Sequence, residues 1–381
     1  MNRKVFLAII ISMVLFINIG FTEDLPSDAM MPDENISNPQ QVSEISYERA
    51  KVINVSNFNA PDQFSQGYQE VTLEITSGKY AGEMHVIENH LPKNLAYRIE
   101  VAKGDKIIVA IDEMGTEKQI YISDYYRNNV LIILVFIFLG LLILIGKLKG
   151  FKSVITISLT MFLIFKVLIP GILGGYNSLI LSIIISAVIT ILTIFIVSGF
   201  NKKSLAAIIG TVSGVVIAGV ISVIVGNTIQ ITGMMPDEAA MLLYLPNAIS
   251  LNYNNLLFSG ILLGALGAVM DVAMSIASSI KEIYNANISI KSKDLFKAGM
   301  AVGHDIMGTM ANTLILAYTG SSIPLLLILN ASGESFSSIV NTDIVATEVV
   351  RSLAGSIGLI VTIPITAFIS VLFLKKEFKS K

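Results

Sequence analysis

The chain has 381 residues, 53% of them hydrophobic and 14% charged, with a net charge of −2 and a mean hydropathy of +0.72. A soluble domain carries about 25% charged residues, so this composition argues against an ordinary globular protein and for a polytopic membrane protein in a lipid bilayer. Absence of cysteine excludes disulfides, thiolate metal sites and cysteine nucleophiles. Three histidines are too few for a histidine metal cage, and the charge balance gives no footing for nucleic acid, so neither a metal, a cofactor nor a nucleic-acid partner is expected.

Arg3 and Lys4 precede the apolar run 5–21. Residues 1–21 read as a signal peptide or an uncleaved anchor helix, and Asn18 and Ile19 before Gly20 match a cleavage site poorly, which favours the anchor. Either way the basic end stays in the cytoplasm and the next segment is exported. Residues 22–46, polar with Pro26, Pro32 and Pro39, read as a flexible tether. From 47 to 127 short runs alternate polar and apolar residues, separated by turn signals at Ser77-Gly78, Ala81-Gly82 and Gly104-Asp105. This predicts about five strands in a small extracytoplasmic β-rich domain, OB-like by strand number. The domain either docks a ligand or partner or caps the helices. His85, Glu88 and His90 lie on its predicted strands and read as surface rather than as metal ligands.

Residues 128–381 read as a transmembrane helical domain of seven helices, at 129–146, 153–168, 176–198, 205–225, 255–280, 299–330 and 352–374. With a retained anchor the chain has eight. The loop 227–254 carries no Lys or Arg, and within it PDEAAMLLYLP predicts a short interfacial helix headed by Asp237 and Glu238. Gly210 and Gly214 have the spacing of a small-residue packing face. Tyr318–Pro324 should break its helix, either to free backbone groups for an ion or as a kink repaired by Thr319, Ser321 and Ser322. Of 26 Lys and Arg, 15 fall in the proposed cytoplasmic termini and loops and nine in the exported domain, as the positive-inside rule requires. The expected location is the bacterial cytoplasmic membrane, with 22–127 outside and the C-terminus inside. Lys166 should snorkel, Arg351 should pair with Glu348 or Asp343, and Met270, Met274, Met300, Met307 and Met310 read as adaptable packing.

Two acids stand where lipid forbids them. Asp271 sits inside one apolar segment and Asp305 follows His304 in the next. A charge in a spanning helix costs ~2.5–3.5 kcal/mol on insertion scales, so such residues are functional candidates. Gly260, Gly264, Gly267, Asp271, Ser275 and Ser278 fall on one helix face, which should let another helix approach closely beside a carboxylate. Asp305, Thr309 and Asn312 form a second polar stripe.

The strings GALGAVMDVAMSIASSI and GHDIMGTMANTLILAYTGSSIPLLLIL, with GFNKKSLAAIIGT at 199–211, resemble the core motifs of the YibE/F-like family of bacterial multi-pass membrane proteins. The resemblance runs from about residue 50 to the C-terminus and implies a permease-like layout. The family often places an arginine before the second aspartate, where this chain has His304.

Three functions fit these residues. In the first, a permease-like protein moves a small solute or ion, with Asp271 and Asp305 as coupling groups, Ser275, Thr309 and Asn312 as neutral ligands and His304 as a proton relay. In the second, the chain is a non-catalytic assembly or signalling partner, bound to a second membrane subunit or to itself, whose acids pair across helices. The third, an intramembrane diaspartyl protease, lacks the GxGD and PAL strings. No G-x-x-x-x-G-K-[ST] loop is present to drive an ATP pump.

Overall fold

The computed structural model describes residues 45–58, 65–114, 117–234, 242 and 251–376. The expected anchor, nearly all of the tether and, apart from Leu242, the interfacial helix at 236–246 lie outside these residues. The chain divides into two compact units, with the boundary between Leu141 and Leu142.

The first unit is built on five antiparallel strands, β1 (Ile45–Phe58), β2 (Ser65–Ile75), β3 (Met84–Pro92), β4 (Lys106–Met114) and β5 (Glu117–Tyr125), in the order β3-β2-β1-β4-β5. Period-2 alternation does the sorting: Ala50 and Val52, Val71, Leu73 and Ile75, and Ile107, Val109 and Ile111 all point into one core. The two edges curl toward each other, and Lys118 of β5 reaches Glu83, just before β3, at 3.4 Å. The result is a half-barrel.

Among the described residues one polar side chain is buried inside it. Gln69 of β2 is 1% exposed, and its amide donates to Asn57 Oδ1 at 2.9 Å and to the Val101 carbonyl at 3.0 Å. Its oxygen accepts from the Val101 amide at 2.9 Å and from Asn89 Nδ2 at 3.1 Å. Every hydrogen-bonding position of Gln69 is filled, which is the condition for burying an amide without penalty.

The second unit is helical, its first helix starting among the last residues of the first unit. The order is α1 (Asn128–Leu163), a π-helical turn (Ile164–Leu168) holding Lys166, α2 (Ile169–Leu173), α3 (Ser178–Ser198), α4 (Lys202–Thr228), α5 (Tyr253–Ala286), α6 (Ser292–Ser321), α7 (Ile323–Ala331), α8 (Phe336–Val340) and α9 (Asp343–Lys376). Three long helices start on asparagine caps: Asn177 accepts from Ile180 N, Asn201 from Ser204 N and Asn252 from Asn255 N at 2.9–3.1 Å.

Five described helical stretches are long and apolar enough to cross a membrane, or six if the bent pair α6–α7 forms one span. The shortfall from the expected seven comes from residues 128–173, which run on as one stretch. That stretch is interrupted at Lys147, whose φ of 49° and ψ of −125° are not helical. A Cβ on Gly150 would fall 1.8 Å from the Leu142 carbonyl oxygen. Residues eight apart in a continuous helix lie about 12 Å apart, so the backbone turns back at Lys147.

α5 is the hub, packed against α3, α4, α6 and α9. The tightest crossing is α4 on α9. A Cβ on Gly210 would meet Thr366 Oγ1 at 1.9 Å, one on Gly214 would meet Thr362 Oγ1 at 1.8 Å, and one on Gly358 would meet the Gly214 carbonyl at 2.6 Å. Here the small-residue spacing read on α4 closes as expected, and Thr362 donates to Gly358 O at 2.9 Å.

Candidate functional site

α5 has two unlike faces. Ile261, Leu262, Ala265, Val269, Val272, Ala273, Ile276, Ala277 and Ile280 are fully buried against its neighbours. Gly260, Gly264, Gly267, Asp271 and Ser275 are exposed. Among the described residues no helix covers this second face: a Cβ on Gly260 or Gly267 would meet nothing within 4 Å. Only Gly264 is approached, by the Tyr318 hydroxyl of α6, which lies 2.4 Å from its would-be Cβ. Asp271 and Ser275 make no hydrogen bond or ion pair among the described residues. The face is an open track of small residues with a carboxylate and a hydroxyl on it.

α6 runs antiparallel beside α5. A Cβ on Gly299 would touch Ile280 at 2.4 Å, one on Gly303 would lie 3.6 Å from Ile276, and Tyr318 meets Gly264 at the other end. Interpolating between these contacts puts Asp271 level with Gly308 and Ser275 level with His304. The structure thus brings both expected acids to a similar depth. It does not bring them together. Asp305 lies two residues past buried Gly303, about 200° around the helix, and so points away from α5. Asn312 is about 180° from Gly303, and Asp305 and Asn312 are both exposed. Thr309 is exposed too, its hydroxyl spent on the Ile306 carbonyl at 2.9 Å. His304 is exposed and has no partner within the described residues.

The break between α6 and α7 falls where the sequence predicts it, with a 63° bend before Pro324. Its backbone is repaired locally: the Tyr318 carbonyl accepts from Ser321 Oγ at 2.7 Å, Ser322 Oγ at 3.1 Å and Ser322 N at 3.2 Å. That carbonyl is therefore engaged, and the hydroxyl-repaired kink describes the break. Arg351 pairs with Glu348 at 2.5 Å, one of the two acids expected, while Asp343 instead accepts from Thr232 Oγ1 at 2.6 Å. Met270, Met274, Met300, Met307 and Met310 all pack against the core clusters. His85 and His90 each sit beside their own glutamate, Glu83 at 3.0 Å and Glu88 at 3.8 Å, and no group of three potential metal ligands converges among the described residues.

Tyr318 is the site residue that sequence reasoning missed. It bridges to Gly264 across 54 positions of chain, and nothing in local spacing announces that.

Residues 134–376 match the YibE/F-like protein family, and residues 43–125 match the YibE/F family N-terminal domain. The chain belongs to the YibE/F family. The boundary between the two matches falls close to the junction of the β and helical units, so the YibE/F N-terminal domain is the half-barrel and the YibE/F-like region is the helical unit. Comparison with curated proteins and with solved structures gave no match.

Proposed function

We propose that this YibE/F protein is permease-like, moving a small solute or ion along the open face of α5 with Asp271 as the coupling or binding group. One observation carries the reading: Asp271 has no partner among the described residues and lies on a face of the hub helix where Gly260, Gly264 and Gly267 leave room for something else. A purely structural acid would have an internal partner, since an unpaired carboxylate at membrane depth is costly. Ser275, one turn further along, supplies a neutral oxygen. Tyr318, over Gly264, narrows the track toward one end.

The rest of the layout follows from the same reading. Taking the turn at Lys147 as a reversal between two crossings, and α6–α7 as one broken span, gives seven crossings. Lysines at 147–152, 202–203 and 281–297 then lie in the cytoplasm with the C-terminus, and the half-barrel lies outside the bacterial cytoplasmic membrane. Its strand order, with β1 between β2 and β4 and with β3 and β5 as converging edges, supports an OB-type domain that receives or releases the solute. A diaspartyl protease is disfavoured because Asp305 points away from α5, leaving no shared-proton pair with Asp271.

The test needs no known solute. Full-length protein in nanodiscs is treated with a hydrophobic carbodiimide across a pH series, and modified carboxyls are located by mass spectrometry. Labelling at Asp271 that falls as pH rises, and is blocked by one particular ion, supports the reading. Absence of labelling at every pH sinks it.

A further inference from the structure

α6 holds to the bundle by one face only. Leu295, Gly299, Gly303 and Leu314 are buried, and the helix touches α5 and α9. On the opposite side lie Ala301, Asp305, Gly308 and Asn312, spaced 4, 3 and 4 residues apart and all exposed. His304 and Thr309 flank this line, also exposed. A Cβ on Gly308 would meet nothing within 4 Å. The side chains of His304, Asp305 and Asn312 have no partner among the described residues.

Depth makes this arrangement untenable for a lone chain in lipid. Asp305 is eight residues, or about 12 Å, along α6 from Lys297. Asn312 lies about 10 Å deeper still. A long lysine can extend to the headgroups from such a position, but a carboxylate on a single methylene cannot. Polar groups at that depth face protein or water, never acyl chains.

We infer that the outer face of α6 is a self-association surface, docked by a second copy of this chain across a two-fold axis parallel to the helix. The face is complementary to itself. A two-fold axis running along the membrane normal sets identical residues at identical depth, so each contact occurs twice. His304 and Asp305 are neighbours in sequence, so the imidazole of each copy meets the carboxylate of the other. Two Asp305 carboxylates meeting alone would repel, and the flanking histidines remove that conflict. Asn312 carries both donor and acceptor and can pair with its own twin. Ala301 and Gly308 are small enough to let the two backbones approach. An unrelated subunit would have to supply an acid and a base in the matching order, whereas a second copy supplies them by symmetry. The chain's own apolar run 5–21 offers no ionisable group at all. The inference is independent of solute movement, because it assigns Asp305 and Asn312 to assembly and leaves Asp271, on α5, to transport.

The absence of native cysteine makes the test clean. Single variants Ala301→Cys, Gly308→Cys and Asn312→Cys are made in the full chain, with Ile184→Cys on the exposed side of α3 as control. Membranes are oxidised with copper-phenanthroline, and two differently tagged copies are co-expressed. A disulfide forms only where Cα atoms come within about 4.4–6.8 Å. The expected result is a mixed-tag dimer band at the α6 positions and none at Ile184. No band at any α6 position in protein that elutes as a monodisperse peak overturns the inference, as does an equal band at Ile184 or a cross-link only to a chain of different mass. The pairing is tested in the Gly308→Cys background. His304→Asp should abolish the band and the double change His304→Asp with Asp305→His should restore it. Persistence of the band in His304→Asp refutes the reciprocal pair.

Discussion

Two stripes of small residues in the helical unit share almost the same spacing and meet opposite fates. On α4, Gly210 and Gly214 are closed over by Gly358, Thr362 and Thr366 of α9, with backbone near enough that no added Cβ fits. On α5, Gly260 and Gly267 meet nothing among the described residues, and Asp271 beside them has no partner there. Spacing alone selects a face; what stands opposite decides whether that face becomes a weld or stays open. The weld holds helices together through contact and threonine hydrogen bonds.

The largest expected effect breaks the weld. Gly358→Val puts its Cβ where the Gly214 carbonyl and Ala218 already are, at 2.6 and 2.8 Å, and neither is a flexible side-chain tip. We expect a loss of about 3 kcal/mol or failure to fold, read as lost monodisperse protein and a lowered thermal midpoint in detergent. Gly267→Leu is the matching change on the open face. It should alter the thermal midpoint by the equivalent of less than about 1 kcal/mol, yet block carbodiimide access to Asp271 one turn away. If Gly267→Leu unfolds the protein as Gly358→Val does, the contrast between the stripes is false.

Smaller changes sharpen the same contrast. Thr362→Val keeps the shape of the weld but removes hydrogen bonds to Gly358 O and Gly210 O, at 2.9 and 3.4 Å, and should cost about 0.6 kcal/mol. Asp271→Asn should leave the thermal midpoint within error, since no bond is lost, while removing the pH-dependent label.

The smallest effect is a control for that pH series. Hydrogen bonding from His85, and then from Lys118, holds the exposed Glu83 carboxyl below its usual value of 4.5. A depressed folded-state pKa means that this contact stabilises the half-barrel above the unfolded value and is lost as pH falls through the folded one. Lys118→Ala should therefore lower the thermal midpoint of the half-barrel slightly at neutral pH, seen by circular dichroism, with the difference from the parent vanishing as pH falls below about 4.5.

Much of the architecture was legible in the chain. Alternating runs announced five strands because a half-buried sheet must alternate, and Gly320 with Pro324 announced a break because proline cannot donate. The α4 packing face was legible for the same reason. The fate of the α5 face was not, because its glycines have the same spacing as those of α4 and only partners far along the chain tell them apart. Asp271 and Asp305 were rightly placed on consecutive helices. That Asp305 turns outward depends on which side of α6 carries Gly299 and Gly303, and those glycines become informative only once Ile280 and Ile363 are seen against them. The tight turn at Lys147 was hidden as well, since the apolar runs on either side gave it the look of an ordinary loop.

Gln69 has a consequence for how the half-barrel moves. By gripping both the amide and the carbonyl of Val101, it does for the strandless segment between β3 and β4 what a neighbouring strand would do. The Val101 amide should accordingly exchange with deuterium on the timescale of the whole sheet. A single proton thus becomes a clock for opening of the domain, and Gln69→Leu should start it running fast.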